Sequence, residues 1–180
     1  VNNIPESEIY GAEIELSTFI TDSMILDASM SWIETEITAD HFALDNVQSD
    51  IATNALLGQG VNQFSDQVQI ARAAEITNVK GNELAKTPNF TANLSLTWQR
   101  YIENWGEMSN SLQYTYRGDF KHRMFNNPLT DMVPDYEVID LVMGFMPDSN
   151  SDLKYEFVAK NLTDEDGTNA RFTDVFGVGA

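Results

Sequence analysis

Acidic side chains offer the first candidates for chemistry in this chain. Glu13 and Glu15 stand two apart, and so do Glu34 and Glu36. Residues two apart on a strand share a face, and two carboxylates on one face can divide acid and base roles between them. Both pairs sit in alternating stretches, where the simpler reading is polar wall and loop mouth. His41 and His122 are the only histidines. They fall in different connections, without HxH or HxxxH spacing and with no cysteine to complete a ligand set. Asp148-Ser149-Asn150-Ser151-Asp152 resembles the start of a calcium loop but lacks that loop's later glycine and glutamate, so it reads as a turn. Asp164-Glu165-Asp166-Gly167, which could hold calcium in an outer loop, reads as a turn as well. Asn89-Phe90-Thr91, Asn93-Leu94-Ser95 and Asn161-Leu162-Thr163 fit the glycosylation pattern but lie in or beside strands, where an acceptor loop is not expected. Gly58-Gln59-Gly60 does not continue as a dinucleotide fingerprint, and no serine stands in a GxSxG setting. No catalytic, cofactor-binding or metal-ligating set is assigned, and the chain reads as a non-enzyme.

The elements that carry these residues are written in a period of two. Phe90, Ala92, Leu94, Leu96 and Trp98 point one way, and Thr91, Asn93, Ser95, Thr97 and Gln99 point the other. The second set is uncharged but fully hydrogen-bonding, which suits a wall facing a wet interior. About six strands follow from this pattern, over 8–20, 24–37, 89–102, 107–119, 136–146 and 152–163. Their connections alternate in length. Thr21-Asp22-Ser23, Glu103-Asn104-Trp105-Gly106 and Pro147-Asp148-Ser149-Asn150-Ser151 are short turns. Thr38 to Pro88 is about fifty residues, and Phe120 to Asp135 about sixteen, both beyond the common loop length. Two helices are expected inside the longer one. The first is capped by Asp50 and runs to Leu57, with Gly58 ending it. The second is opened by Ser65 or Asp66 and carries Val68, Ile70, Ala71 and Ala74.

Composition narrows the class. Of 180 residues, 42% are hydrophobic, too many for a disordered tail. No apolar run approaches the roughly 18 residues of a membrane-spanning helix, which leaves a barrel open because its strands signal weakly. The formal charge of -18, with ten scattered basic residues, argues against nucleic acid as a partner. The charge reads as solubility, or as an acidic outer surface that meets cations. No basic-then-apolar leader is visible. Both ends, Val1-Asn2-Asn3 and Gly177-Val178-Gly179-Ala180, read as cuts in a longer protein. Trp32, Trp98, Trp105, Tyr101, Tyr114 and Tyr116 fall near strand ends, as the aromatic girdles of a barrel do.

Five segments, in chain order, resemble the TonB-dependent outer-membrane receptors. Tyr10-Gly11-Ala12-Glu13-Ile14-Glu15 is similar to the family's G-x-E-hydrophobic-E strand. Gly81-Asn82-Glu83-Leu84-Ala85-Lys86-Thr87-Pro88 resembles its G-x-x-L-x-x-x-P lead-in to the next strand. Tyr114-Thr115-Tyr116-Arg117-Gly118 looks like its Y-x-Y-R-G/S strand end. Tyr136-Glu137-Val138-Ile139-Asp140 resembles Y-x-x-h-(N/D), where h is hydrophobic. Asn161-Leu162-Thr163-Asp164-Glu165 matches a late-strand segment, N-L-(T/F)-(D/N)-(K/E).

The resemblance implies an all-β fold. Residues 1–180 would form part of the late portion of one antiparallel transmembrane barrel of roughly 22 strands with a plugged lumen. Short turns would face the periplasm, and the connection over about 38–88 would be a long extracellular loop. The plug domain and the TonB-contacting box would lie outside this stretch, and the stretch alone would be an open sheet. The implied function is active import across the outer membrane of a scarce ligand such as a ferric siderophore. The implied partners are outer-membrane lipid and lipopolysaccharide, the TonB complex through the N-terminal part, and a small ligand. The connection from Thr38 to Pro88 is the candidate for ligand contact; no single contacting residue is named. Two other readings share the strand pattern: a plug-less porin or passive channel, and a soluble β-sandwich that binds carbohydrate.

Overall fold

The computed structural model of the chain describes residues 3–149 and 152–170. The elements in order are β1 (Ser7–Thr21), β2 (Met24–Ile37), β3 (Phe42–Leu44), α1 (Asn46–Gly58), α2 (Asp66–Ala74), β4 (Ile76–Asn78), β5 (Phe90–Ile102), β6 (Gly106–Arg117), β7 (Phe120–Lys121), β8 (Met132–Val133), β9 (Tyr136–Pro147) and β10 (Tyr155–Ala159). The six longer strands form one open antiparallel sheet in the order β1-β2-β5-β6-β9-β10. β3 pairs with β4 and β7 with β8 in two small separate ladders.

Register converts the alternation into two faces. Leu16, Ala28, Leu94, Tyr114 and Ile139 stand opposite one another across five strands. The next such row is Leu26, Leu96, Leu112, Leu141 and Ala159. The other face carries Glu15, Ser29, Asn93 and Thr115 in one row and Ser17, Asp27, Ser95, Gln113 and Asp140 in another. A slip of one residue would turn every side chain to the wrong face, so the sequence pattern and the register specify each other.

The turns that hold this register use backbone freedom. In the β5–β6 turn, Asn104 takes a left-handed φ of 64°, which its short polar side chain tolerates. Gly106 follows at φ 133°, and a Cβ there would lie 2.0 Å from the Met146 carbonyl oxygen. Only glycine fits. The turn also grips its neighbour: the Asp148 N–H donates to the Trp105 carbonyl at 3.0 Å.

Five strands fall within a few residues of their expected limits; β10 is shorter. Its ladder with β9 runs from Tyr155 to Ala159 rather than over 152–163. The reason lies at Asn161, whose φ of 52° breaks the extended chain. The Asn161 N–H then goes to the Asp140 carboxylate at 2.7 Å rather than to a backbone partner. Of the expected calcium-like turn, Asn150 and Ser151 lie outside the described residues, as do Val1, Asn2 and residues 171–180.

Burial is distributed unevenly. Among the described residues the fully buried larger side chains are Ile37, Val68, Val79, Val133, Asp131 and Ser49. All belong to the long connections or to the strand end beneath them. The sheet has no such core: Leu112 on the inner strand β6 is 46% exposed, and Ile14 and Phe157 on the edge strands β1 and β10 are 67% and 60% exposed.

Candidate functional site

Two surfaces qualify as functional. The first is the polar face of the sheet, which hollows into a trough of about 520 Å³. Glu15, Ser17, Asp27, Ser29, Asn93, Ser95, Gln113 and Thr115 contribute to its lining. Side chains bridge the strands along it. Ser17 donates to Asp27 at 2.6 Å, Thr97 donates to Ser111 at 3.3 Å, and the Ser95 and Ser111 hydroxyls lie 3.4 Å apart. Glu13 and Glu15 therefore belong to the polar wall, as expected.

Glu34 and Glu36 stand at the loop mouth, on the other face. Their register puts them on the face of Trp32, beyond the apolar rows and beside the long connections. Glu34 accepts a hydrogen bond from the Tyr10 hydroxyl, and the Tyr10 ring meets Trp32 edge-on at 6.0 Å. Tyr114 and Tyr116 likewise donate to Glu137 and Asp135, at 2.8 and 3.2 Å. Aromatic rings ending in polar contacts mark this end of the apolar face. At the opposite end Phe145 stacks with Tyr155 at 6.5 Å, near Trp98 in the register.

The second surface is a folded cap. It joins the connection between β2 and β5 to the shorter one between β6 and β9. Asn82 donates to the Met124 carbonyl at 2.8 Å, Asn126 donates to the Glu83 carbonyl at 3.0 Å, and the Glu83 N–H donates back to Asn126 at 3.2 Å. The Lys86 N–H donates to the Lys121 carbonyl at 2.7 Å.

Arg123 lies at the centre of this cap. Its Nη1 is 2.6 Å from Asp45 Oδ1, and its Nη2 is 2.6 Å from Asp131 Oδ1. Nη2 also donates to Thr130 at 3.1 Å, and the guanidinium sits 5.2 Å from the Phe125 ring centre. Asp131 is fully buried and accepts further bonds from the Asn127 N–H and the Thr130 hydroxyl, both at 3.0 Å. Burial pulls the Arg123 pKa down, but hydrogen bonds and charge from Asp45 and Asp131 outweigh it, and the net shift is upward. The guanidinium stays charged, held by two carboxylates rather than by water.

Asp45 has a second role. Its carboxylate accepts from the Val47 and Gln48 N–H groups at 3.0 and 3.4 Å, so Asp45 is the N-cap of α1. The expected cap, Asp50, lies inside the helix instead. Ser65 caps α2 as expected, and Gln59 with Gly60 ends α1. A signal for Asp45 was present: Asp45-Asn46-Val47-Gln48 has the acceptor-x-x-Gln spacing of a capping box. Arg123 and Asp131 carried no local signal.

His41 and His122 lie in different connections of the cap. The His41 N–H donates to Asn78 at 3.0 Å, and the His122 N–H donates to the Asp131 carbonyl at 2.6 Å. No group of three or more metal-ligating side chains occurs among the described residues.

The motif residues fix the seam between wall and cap. The Gly81 N–H donates to the Ile37 carbonyl at 2.8 Å and the Leu84 N–H to the Thr35 hydroxyl at 2.9 Å, which returns the chain onto β2. Arg117 lies over the Phe120 and Tyr136 rings, at 4.8 and 4.3 Å, and donates to the Thr168 carbonyl at 2.8 Å. Asn161 brackets Glu165, accepting from its N–H at 3.0 Å and donating to its carbonyl at 3.1 Å. At Gly11 a Cβ would lie 2.2 Å from the Trp32 carbonyl oxygen, so that strand pair needs a residue without a side chain.

A regular antiparallel sheet with one apolar face, one hydrogen-bonding face that lines a trough and its folded connections at one end defines a barrel-wall protein. Comparison with known proteins identifies which kind. The barrel family described as "TonB dependent receptor-like, beta-barrel" matches residues 1–162, and the chain belongs to it. Members of this family are outer-membrane receptors rather than enzymes. Among solved structures the chain is similar to the ferric yersiniabactin uptake receptor FyuA from Yersinia pestis, with a TM-score of 0.63 at 13% identity. The match covers 93% of this chain and 20% of that one, so the chain spans about a fifth of that receptor's length. At this identity the likeness is one of fold. No curated protein matches the chain.

Proposed function

We propose that this chain is the wall and outer cap of a receptor that imports a scarce ligand, such as a ferric siderophore, across the outer membrane. The observation that carries the reading is the two-faced sheet within this family: the apolar rows suit lipid, and the hydrogen-bonding trough suits a wet lumen. The long connections gather at one end and fold into the cap, while the short turns lie at the other. In this family's arrangement the cap end faces outward and the turn end faces the periplasm. FyuA's uptake of ferric yersiniabactin supports a ferric chelate as the cargo class.

In this reading residues 1–180 are part of one barrel domain. The plug and the segment that meets the TonB complex belong to other parts of the receptor. The apolar face contacts membrane lipid, its loop-side tyrosines meet the lipopolysaccharide layer, and residues 38–88 form an extracellular ligand loop. The chain does no covalent chemistry. Its task is to pair every backbone donor and acceptor across a bilayer and to present a shaped cap above the lumen.

Deletion of residues 45–69 from the full-length receptor tests the ligand role. The expected result is loss of ferric-chelate uptake with normal barrel assembly, read as heat-modifiable gel migration. Uptake that survived the deletion would remove this connection from the binding site.

A further inference from the structure

The cap is built from two connections far apart in sequence, and part-buried hydrogen bonds and an ion pair run between them. Arg123 of the shorter connection meets Asp45 of the longer one across 78 residues. That same Asp45 fixes the first turn of α1. Arg123 also meets Asp131 within its own connection, where Asp131 in turn holds the Asn127 N–H. One guanidinium thus touches the anchor residue of each connection. Asn126, at a left-handed φ of 56°, adds a reciprocal pair of bonds to Glu83 on the far side of the seam.

We infer that Arg123 clamps the two connections into a single preassembled cap, so that they open and close as one body. Three features support this. The carboxylates are nearly inaccessible, with side-chain exposures of 6% for Asp45 and 0% for Asp131, so water cannot replace the guanidinium at little cost. The bonds fork from one planar group, which makes their geometry interdependent. The remaining inter-connection bonds are backbone or carboxamide bonds that a rigid seam requires and a sliding contact would lose. The meaning of the clamp for ligand capture rests on the import reading; the coupling itself does not.

The test uses the full-length receptor in detergent with no ligand present, so its outcome is separate from that of any uptake assay. Hydrogen exchange is followed in peptides over 46–58 and over 118–133. Two variants are compared with the parent: Arg123→Gln, and the milder Asp45→Asn, which keeps a good helix cap while losing the charge. Heat-modifiable migration confirms barrel assembly in each. The expected result is faster exchange, by about tenfold or more, in both peptides in both variants. Acceleration confined to one connection, or none in either variant, would overturn the clamp. Should Arg123→Gln fail to assemble, Asp45→Asn alone decides: acceleration over 118–133, where no residue was changed, supports coupling, and unchanged exchange there refutes it.

Discussion

The wall and the cap hold their shape by opposite means. The wall is a repeating ladder, in which neighbouring strands pair residue by residue and no one polar side chain decides the fold. The cap is irregular, and a few side chains do what a ladder does elsewhere: Arg123, Asp45, Asp131, Asn126 and Asn82. Burial follows the same division, with Val68, Val79, Val133 and Asp131 sealed in the cap and the apolar rows of the wall left open. An apolar, ordered, uncovered surface marks a contact with something other than water, and in the import reading that contact is lipid. In the same reading water surrounds the cap, which therefore needs a core of its own. The comparison teaches that the wall should be sensitive to which face is changed, and the cap to which residue is changed.

The largest effect should come from the cap. Asp131→Ala strips Arg123 of one of its two carboxylates and the Asn127 N–H of its acceptor in a buried setting, and breaking such a pair costs about 3–5 kcal/mol. Exchange of amides over 118–133 should rise accordingly while the sheet stays protected. If the sheet unfolded with it, cap and wall would be one cooperative unit and the contrast would fail.

The wall should show its own asymmetry next. Leu94→Arg on the apolar face should cost about 2–4 kcal/mol near the bilayer midplane, whereas Ser95→Arg one residue away should cost little. Denaturant titration of the full-length barrel in lipid would give both values. Equal damage would mean that the faces are not lipid and lumen.

A smaller effect should come from the turn. Gly106→Ala forces a side chain into a conformation open only to glycine and against the Met146 carbonyl, at a cost of about 1–3 kcal/mol. Slower assembly should accompany it, measured as the rate at which the heat-modifiable form appears. The smallest effect should be Ser95→Ala, which removes one of several hydroxyl contacts along the trough and should stay within about 0.5 kcal/mol. A large loss there would show that the polar face carries specific structural bonds.

These two regions were also unequally legible. The period of two placed β2 at its observed limits and β5 within a residue, because a half-exposed strand must alternate and nothing else in the chain competes with that pattern. It also assigned Leu94 and Ser95 to opposite faces, which register confirms. The cap resisted for physical reasons. β3, β4, β7 and β8 are two or three residues long, too short for any period. The α1 cap was placed at Asp50 although Asp45-Asn46-Val47-Gln48 carries the capping spacing, whereas the Asp45 contact with Arg123, across 78 residues, leaves no spacing to read. Alternation gives a residue's face but not the height at which the apolar rows end, so the split of the two glutamate pairs between wall and loop mouth came only with the register. The end of β10 was overestimated because the left-handed turn at Asn161 is favoured by Asn without being required by it.

The central claim is that the alternation of β5 separates lipid from lumen. The chain contains no cysteine, so single cysteines can be placed at 91–98 of the full-length receptor in lipid vesicles without background from this region. Each is then tested with a membrane-impermeant thiol reagent and, after labelling with a fluorophore, with a quencher carried on lipid chains. Positions 92, 94, 96 and 98 should be quenched by lipid and slow to react in water; positions 91, 93, 95 and 97 should show the reverse. Uniform behaviour along the strand, or the opposite phase, would contradict the assignment of the two faces.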